Sequence, residues 1–277
     1  MPLKLMYITN NPKVALIAEK NGVDRIFVDL ETLGKETRQK GMDTVKSKHT
    51  IADVSRMSKT LTRAELLVRV NPWNENSKSE IDRVIEAGAD IIMLPMWKTE
   101  EEAAAFIKAV DGRARTMLLL ETREAVDCLD DVLELCGIDE IHIGLNDLHL
   151  SYKLTFMFEL LANGTIERLC NKIGQKGIPY GFGGIAALGN GALPSEKVIT
   201  EHYRLGSTRV ILSRSFCDLK EQSEICSIEK IFRERVAEIR AFEKTLDLMT
   251  LEKFELNRQC VCEIVENIVR VIWTRKL

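Results

Sequence analysis

The sequence of 277 residues is long enough for one large domain or two domains of moderate size. Hydrophobic residues make up 45% of it and charged residues 29%, proportions typical of a globular enzyme. The 39 basic and 42 acidic residues leave a net charge of −3, which argues against nucleic-acid and anionic-membrane partners. Because no signal-peptide pattern and no apolar run near the ~20 residues of a membrane span occur, we expect a cytoplasmic protein.

Short aliphatic runs alternate with amphipathic segments along most of the chain. We predict strands at residues 3–9, 25–31, 65–71, 90–96, 115–121, 140–145, 178–184 and 209–215. Helical periodicity lies between them, as at residues 12–21, 78–88, 99–110, 123–136 and 164–176. Strands that alternate with helices pair in parallel, and eight of them close a barrel of roughly 250 residues. The predicted fold is an α/β (β/α)8 TIM barrel. A doubly wound open sheet is the alternative, although no Gly-x-Gly-x-x-Gly follows the first strand.

Two long helical patterns follow the eighth strand, at roughly 227–246 and 250–273. We therefore expect a barrel domain over residues 1–218 and a helical extension over residues 219–277. The apolar residues of the second helix are spread more widely than one stripe, so this helix needs further cover. We predict a homo-oligomer in which a neighbouring subunit supplies that cover. Packing against the barrel of the same chain is the open alternative.

Two of the predicted strands run into an acid at their carboxyl ends. Residues 115–121, RTMLLLE, close on Glu121, and residues 140–148, EIHIGLNDL, close on Asp147. An ionised carboxylate at the edge of an apolar core is costly unless a cation or a donor pairs with it. Since the chemistry of such barrels lies at the carboxyl ends of the strands, the two acids indicate a shared hard cation such as Mg²⁺. The alternative for each acid is a helix cap or a salt bridge at the rim.

Other polar residues end the neighbouring predicted strands. Arg69 lies between two valines, where its planar fork suits a substrate carboxylate, a developing enolate or a structural pair with Asp29 or Glu31. Asp29 and Glu31 either orient this arginine or take part in the chemistry, and we count all three as catalytic candidates. The other residues that we expect to contact substrate at this rim, besides Arg69, are Gly144, Asn146 and Gly183.

Several segments resemble the HpcH/HpaI aldolase and citrate lyase β-subunit family. They are VDRIFVDLE (23–31), LLVRVNP (66–72), EAGADIIMLPM (86–96), LLLETREAVDCLDDVLELCGIDEIHIGLNDL (118–148) and KGIPYGFGG (176–184). The most specific part is the acid-Thr that starts at Glu121, followed by the Gly-x-x-Asp-Leu that contains Asp147. The resemblance implies a (β/α)8 barrel and a class II mechanism in which these two acids bind Mg²⁺ or Mn²⁺. A 2-oxo acid such as pyruvate would chelate the ion, and Arg69 would contact the keto oxygen that becomes an enolate.

One position departs from the family pattern. Family aldolases commonly have a histidine after the Asp-x-Glu of the second strand, and the acyl-CoA lyases tend to have an acid there. This sequence reads Asp29-Leu30-Glu31-Thr32. A threonine cannot act as a base near neutral pH, so the proton acceptor is unassigned, with metal-bound water and Glu31 as the candidates.

The predicted function is that of a metal-dependent carbon–carbon lyase, a class II aldolase. It would cleave or form a 4-hydroxy-2-oxo acid through a pyruvate-type enolate. One alternative is an acyl-CoA lyase of the citrate lyase β-subunit type, which would bind an acyl-CoA. Another is a barrel that binds a metal-chelated oxo acid without catalysis, an interpretation that Thr32 keeps open.

Overall fold

The computed structural model describes residues 2–34, 49–217 and 224–274. Eight parallel strands follow one another in chain order around a closed barrel, which confirms the predicted (β/α)8 architecture. All eight predicted strands are present, and most of them end earlier than predicted because the polar residues after them belong to loops. The strands are β1 Lys4–Ile8, β2 Arg25–Asp29, β3 Glu65–Arg69, β4 Ile91–Leu94, β5 Arg115–Leu120, β6 Glu140–Ile143, β7 Tyr180–Ile185 and β8 Arg209–Leu212.

The helices of the described residues follow the strands as the alternating pattern predicts. The predicted segment 123–136 is an exception, since it forms two short helices that separate at Cys128, where the backbone leaves the helical region at φ −101° and ψ 11°. The helices are α1 Pro12–Lys20, α2 Ile51–Thr60, α3 Ser77–Glu86, α4 Glu100–Val110, α5 Arg123–Asp127, α6 Leu129–Val132, α7 Leu145–Ser151, α8 Glu159–Ala162, α9 Thr165–Gln175, α10 Ser195–Arg204, α11 Ile225–Leu246 and α12 Leu251–Thr274.

The chain packs as two compact units. The first unit comprises Met6–Ile141, and the second comprises Met1–Leu5 together with His142–Leu277. The predicted domain boundary between residues 218 and 219 falls outside the described residues, so the division into a barrel domain and a helical extension stays a prediction. Among residues 2–34, 49–217 and 224–274, none of the helices combines the length and the apolar character that crossing a bilayer demands.

In the first unit, β2 and β3 pair in a register that matches opposite charges at both ends. Arg25 lies opposite Glu65 at the amino ends, and Asp29 lies opposite Arg69 at the carboxyl ends, with apolar pairs between them. Residues two and four positions apart on a strand point to the same face of the sheet. Each of these two strands therefore presents a charge, an apolar residue and the opposite charge on a single face.

An ionic layer closes the amino ends of these strands, with Arg25 and Glu140 buried and Glu65 and Arg115 30% and 37% exposed. Arg25 donates to Glu140 from both Nη atoms, at 2.5 and 2.6 Å, and to Glu65 from Nε at 2.7 Å. Arg115 donates to Glu65 at 2.5 Å and lies 3.6 Å from Glu140. Because β2 and β6 are not neighbours in the barrel, the pair between Arg25 and Glu140 crosses the barrel interior. The face of β2 that carries Arg25 and Asp29 is therefore the interior face.

In the second unit, buried polar contacts attach both C-terminal helices to the rest of the unit. Glu243 of α11 accepts hydrogen bonds from the Leu3 amide at 2.7 Å and from Arg240 at 2.8 Å. Asn257 of α12 donates to Glu201 Oε1 at 2.9 Å and to the Lys197 carbonyl at 3.1 Å. Both C-terminal helices therefore pack against other residues of their own unit.

The last helix covers only part of its apolar surface in this way. Val261 and Val265 of α12 are buried, whereas Leu256, Val271 and Trp273 are 62%, 50% and 58% exposed. The sequence left open whether α12 packs on its own chain or on a neighbouring subunit. Packing on its own chain buries the side that carries Val261 and Val265. A neighbouring copy that covers the exposed side stays a prediction.

Glu19 attaches the end of α1 to the turn that precedes β3. Its Oε1 accepts from the amides of Thr62, Arg63 and Ala64 at 2.8, 2.6 and 2.8 Å. Burial raises the pKa of Glu19, but these hydrogen bonds favour the ionised form, and together they lower the pKa below its ordinary value of 4.5.

We predict that Glu19→Gln lowers the free energy of unfolding at pH 7 by about 2 kcal/mol, as expected for hydrogen bonds to a charged acceptor. Because the folded pKa lies below the unfolded value, this stabilisation is complete above the unfolded value and disappears as the pH falls through the folded pKa. Urea unfolding at pH 7, 5 and 3 measures the difference, with Glu86→Gln at the exposed end of α3 as the control. A difference that fails to shrink between pH 5 and pH 3 would contradict this assignment.

Candidate active site

Arg69, the last residue of β3, is held by both acids at the end of β2. Its Nε and Nη2 donate to the two carboxylate oxygens of Asp29, both at 2.9 Å, and Nη2 lies 3.3 Å from Glu31 Oε2. Its Cζ lies 5.6 Å from the centre of the Phe27 ring, which packs below it on the interior face. Two parallel hydrogen bonds to one carboxylate fix the plane of a guanidinium. The direction in which this arginine presents its remaining donors is therefore set.

The remaining donors of Arg69 are on Nη1. This nitrogen makes no hydrogen bond within residues 2–34, 49–217 and 224–274, and the side chain is 15% exposed. The predicted alternative, a structural pair with Asp29 or Glu31, is thus realised on one edge of the guanidinium. The other edge is left with donors for a ligand oxygen.

Three buried carboxylates surround this single guanidinium. Asp29 and Glu31 are each 2% exposed and Glu121 is 3% exposed. Burial by itself would lower the pKa of Arg69, but the charges of these acids outweigh burial and raise it. All three carboxylates thus stabilise the charged form of this guanidinium.

Glu121 directly follows β5 and is not the cap of the next helix. The cap of α5 is Thr122, whose hydroxyl accepts from the Ala125 amide at 3.1 Å and donates to the Trp97 carbonyl at 2.8 Å. Glu121 Oε1 instead accepts from the Met96 amide at 3.1 Å. Met96 has a φ of 56°, a left-handed conformation that is unfavourable for this residue type. The helix-cap alternative for Glu121 is therefore wrong.

In the second unit, Asp147 lies in the first turn of α7 rather than at the end of a strand. The strand stops at Ile143, and Gly144 is the N-cap of the helix. The prediction that the strand over 140–148 closes on Asp147 is wrong, because the chain leaves the extended conformation at the glycine. The side chain is half-buried. An acid in the first turn also interacts favourably with the dipole of the helix, which is a structural reason for its presence. The role of Asp147 as a metal ligand therefore stays a prediction.

The predicted substrate contacts Gly144, Asn146 and Gly183 all belong to the second unit. Gly183 has a φ of 53°, and a Cβ on it would lie 2.6 Å from Leu145 Cδ1. Its carbonyl oxygen lies 3.1 Å from His142 Nε2. The close approach that requires glycine here is thus to α7. Gly144 and Asn146 are half-buried at the start of that helix, and the contacts of all three with substrate stay predictions.

Thr32, the residue that departs from the family pattern, holds the loop after β2. Its amide and hydroxyl and the Leu33 amide donate to Asn71 Oδ1 at 2.9, 3.2 and 3.0 Å. Asn71 Nδ2 donates in turn to buried Glu80 at 2.8 Å. Burial raises the pKa of Glu80, although the hydrogen bonds from Asn71 oppose that shift. Thr32 therefore fixes the turn that carries Glu31.

The structure adds His49 to this end of the first unit, a residue that sequence analysis missed. The Asp29 amide donates to His49 Nδ1 at 3.0 Å. His49 directly precedes Thr50, the N-cap of α2. A lone histidine before a helix start gives no local signal that pairs it with β2.

The donor set of the site fits a hard cation that binds together with substrate. Within the described ranges, no group of three or more His, Cys, Asp or Glu residues is arranged to hold a metal ion. Mg²⁺ and related ions commonly take one or two carboxylates and complete their coordination with water and substrate oxygens. Glu121, a buried carboxylate after β5, is a ligand of the right type.

One known protein family matches the part of the sequence that contains these residues. The model described as HpcH/HpaI aldolase/citrate lyase matches residues 4–158, more than half of the sequence. The chain belongs to the HpcH/HpaI aldolase/citrate lyase family. This membership supports lyase activity, and the family is generally dependent on divalent metals. In this family member, Asp29, Glu31, Arg69, Glu121 and Asp147 all fall within the matched region.

Solved structures agree with the fold of this HpcH/HpaI family member. The HpcH/HpaI aldolase from Desulfitobacterium hafniense DCB-2 is 16% identical with a TM-score of 0.61, over 76% of this chain and 86% of that one. A family protein from Burkholderia cenocepacia J2315 is 15% identical with a TM-score of 0.60, over 86% and 95%. Citrate synthase SbnG is 15% identical with a TM-score of 0.58, over 89% and 95%. No curated protein sequence matches the chain.

We predict that Arg69→Met lowers the free energy of unfolding by about 3 kcal/mol or more, because it leaves buried Asp29 and Glu31 without their cation. Chemical denaturation at pH 7 measures the loss. Arg56→Met is the matched control, since Arg56 is 54% exposed and its ion pair with Asp53 should contribute less than about 1 kcal/mol. Equal losses in the two variants would show that the pairing of Arg69 is not a structural element.

Proposed function

We propose that this chain is a divalent-metal-dependent carbon–carbon lyase, a class II aldolase acting on a 4-hydroxy-2-oxo acid through a pyruvate-type enolate. The observation that carries the proposal is the arrangement of Arg69. One edge of its guanidinium is fixed by Asp29 and Glu31, and its Nη1 retains donors for an oxygen. A donor that is already oriented stabilises developing negative charge without reorganising during the reaction.

We assign the metal ligands to Glu121 and Asp147, as the sequence predicts. The position of buried Glu121 directly after β5 and its carboxylate oxygens, the ligand type that Mg²⁺ prefers, support this assignment for the first unit. When bound, Mg²⁺ or Mn²⁺ supplies Lewis-acid stabilisation of the negative charge on the substrate oxygens. The substrate contacts that we propose, in addition to Arg69, are those of Gly144, Asn146 and Gly183.

In the cleavage direction, a base takes the proton of the C4 hydroxyl and the C3–C4 bond breaks. The electron pair of that bond forms an enolate whose charge lies on the C2 oxygen. Arg69 Nη1 donates to this oxygen as the charge develops. A proton then adds at C3 and yields pyruvate. We propose Glu31 as this base, with metal-bound water as the alternative. Thr32 cannot serve, since its hydroxyl donates to Asn71 Oδ1 and does not ionise near neutral pH.

Enolisation of pyruvate tests this proposal in isolation from the aldehyde partner. We expect deuterium from the solvent to enter the pyruvate methyl group, followed by NMR, when Mg²⁺ or Mn²⁺ is present and not when EDTA removes it. Glu121→Gln should slow the exchange at least about 100-fold, because it removes a ligand charge from the site. Glu124→Gln, three residues further on and 53% exposed, should exchange at the wild-type rate.

The other outcomes identify the alternatives. Exchange that continues in EDTA would contradict metal dependence. Metal-dependent cleavage of an acyl-CoA without exchange into pyruvate would favour the acyl-CoA lyase. The absence of both activities in a folded protein would favour a barrel that binds an oxo acid without catalysis.

A further inference from the structure

The hydrogen bond between Asp29 and His49 determines the state of the imidazole ring. A backbone amide nitrogen can only donate, and it lies 3.0 Å from His49 Nδ1. Nδ1 must therefore hold its lone pair toward the amide, and the proton of the neutral ring is on Nε2. Protonation of Nδ1 would set two N–H donors against each other. This contact thus exists only while the imidazole is neutral.

The strand residue that His49 contacts is also the residue that orients Arg69. The amide of Asp29 donates to the imidazole, while its carboxylate accepts two hydrogen bonds from the guanidinium at 2.9 Å. The backbone and the side chain of one residue therefore connect His49 to the donor edge of Arg69. Small displacements of such a donor are costly for catalysis, because stabilisation of an oxyanion depends on distance and direction.

The residue after His49 in the chain, Thr50, is the N-cap of α2. Thr50 and Asp53 form a reciprocal capping box, with the Thr50 amide donating to Asp53 at 2.8 Å. Asp53 also accepts from Asn10 at 3.5 Å, and its other oxygen lies 3.2 Å from Arg56. The imidazole therefore joins two anchored elements, the start of α2 and the end of β2.

We propose that neutral His49 is a positioning residue that holds Asp29, and through it the guanidinium of Arg69, in the geometry that binds substrate. Protonation of the ring removes this hold and makes the site sensitive to mild acid. Among the described residues, the charged groups at the adjoining ends of these elements are Asp29 and Glu31 after β2, Arg69 paired with both, and Asp53 and Arg56 in the first two turns of α2. The effect on activity rests on the proposed function, whereas the state of the ring does not.

The state of the ring is tested on the unmodified protein. The sequence contains four histidines, so a ¹⁵N NMR spectrum of the side chains resolves few signals, and the signal lost in His49→Asn identifies His49. We expect an Nε2–H tautomer at pH 8 that is replaced by the imidazolium as the pH falls. An Nδ1–H tautomer, or an imidazolium that persists at pH 8, would overturn the inference whether or not the protein is a lyase.

The positioning role is tested with three variants in the pyruvate exchange assay. Asparagine at position 49 has an oxygen at the distance of Nδ1 from Cβ and does not titrate. Glutamine carries its oxygen one bond further out, and alanine has no acceptor. We expect His49→Ala and His49→Gln to slow exchange about 10- to 100-fold at pH 8. His49→Asn should restore most of that rate.

The pH dependence separates positioning from simple support of the fold. Wild-type exchange should fall between about pH 7.5 and 5.5, where histidines titrate, and His49→Asn should stay active over that range. An unchanged acid limb in His49→Asn, or wild-type rates in His49→Ala, would overturn the proposal. If the wild type shows no exchange at all, the proposed function fails, and the NMR experiment still decides the state of His49.

Discussion

The register of β2 against β3 is the constraint on which both the closure of the barrel and the candidate site depend. It sets Arg25 opposite Glu65 at one end and Asp29 opposite Arg69 at the other. Because side chains alternate between the two faces of a strand, a shift by one residue would move all four charges to the face that packs on the helices. Unpaired charges in that apolar layer are strongly unfavourable. The charge pairs at both ends of β2 and β3 therefore favour the same register.

The two ends use the same kinds of residue for different purposes. At the amino ends, two arginines and two glutamates pair with one another in a partly buried layer. At the carboxyl ends of the first unit, three buried acids meet one arginine that keeps donors on Nη1. The layer at the amino ends supports the barrel. At the carboxyl ends, Glu121 is the carboxylate that we propose as a metal ligand, and Arg69 Nη1 is the donor that we propose for the enolate oxygen.

The alternation of strands and helices in the sequence predicts the fold, and the polar residues at strand ends predict much of the site. Arg69, Asp29 and Glu31 were predicted to meet because the ends of neighbouring parallel strands lie side by side, and they do. The ionic layer was missed although charged residues begin six of the strands, and four of these residues form the layer, namely Arg25, Glu65, Arg115 and Glu140. A charge at the first position of a strand looks like the edge of a loop until the register is known.

Two other differences arise from interactions that a local pattern does not encode. Over the short run EIHIGLNDL, a buried strand and the start of a buried helix have the same apolar character, so the helix that contains Asp147 was assigned to the strand. His49 contacts Asp29 across 20 positions of sequence, through a side chain that belongs to neither strand nor helix. Its partner is a backbone amide, which leaves no complementary residue to recognise in the sequence.

We propose that Arg69 presents Nη1 to a charged oxygen beside a metal held by Glu121 and Asp147. The most direct test is a crystal structure with Mn²⁺ and oxalate, a stable analogue of the pyruvate enolate, with the metal located by its anomalous scattering. The account predicts one strong Mn²⁺ peak about 2.1 Å from carboxylate oxygens of both acids. It also predicts an oxalate oxygen within about 3 Å of Arg69 Nη1. A metal bound elsewhere, or oxalate without contact to Arg69, would contradict it.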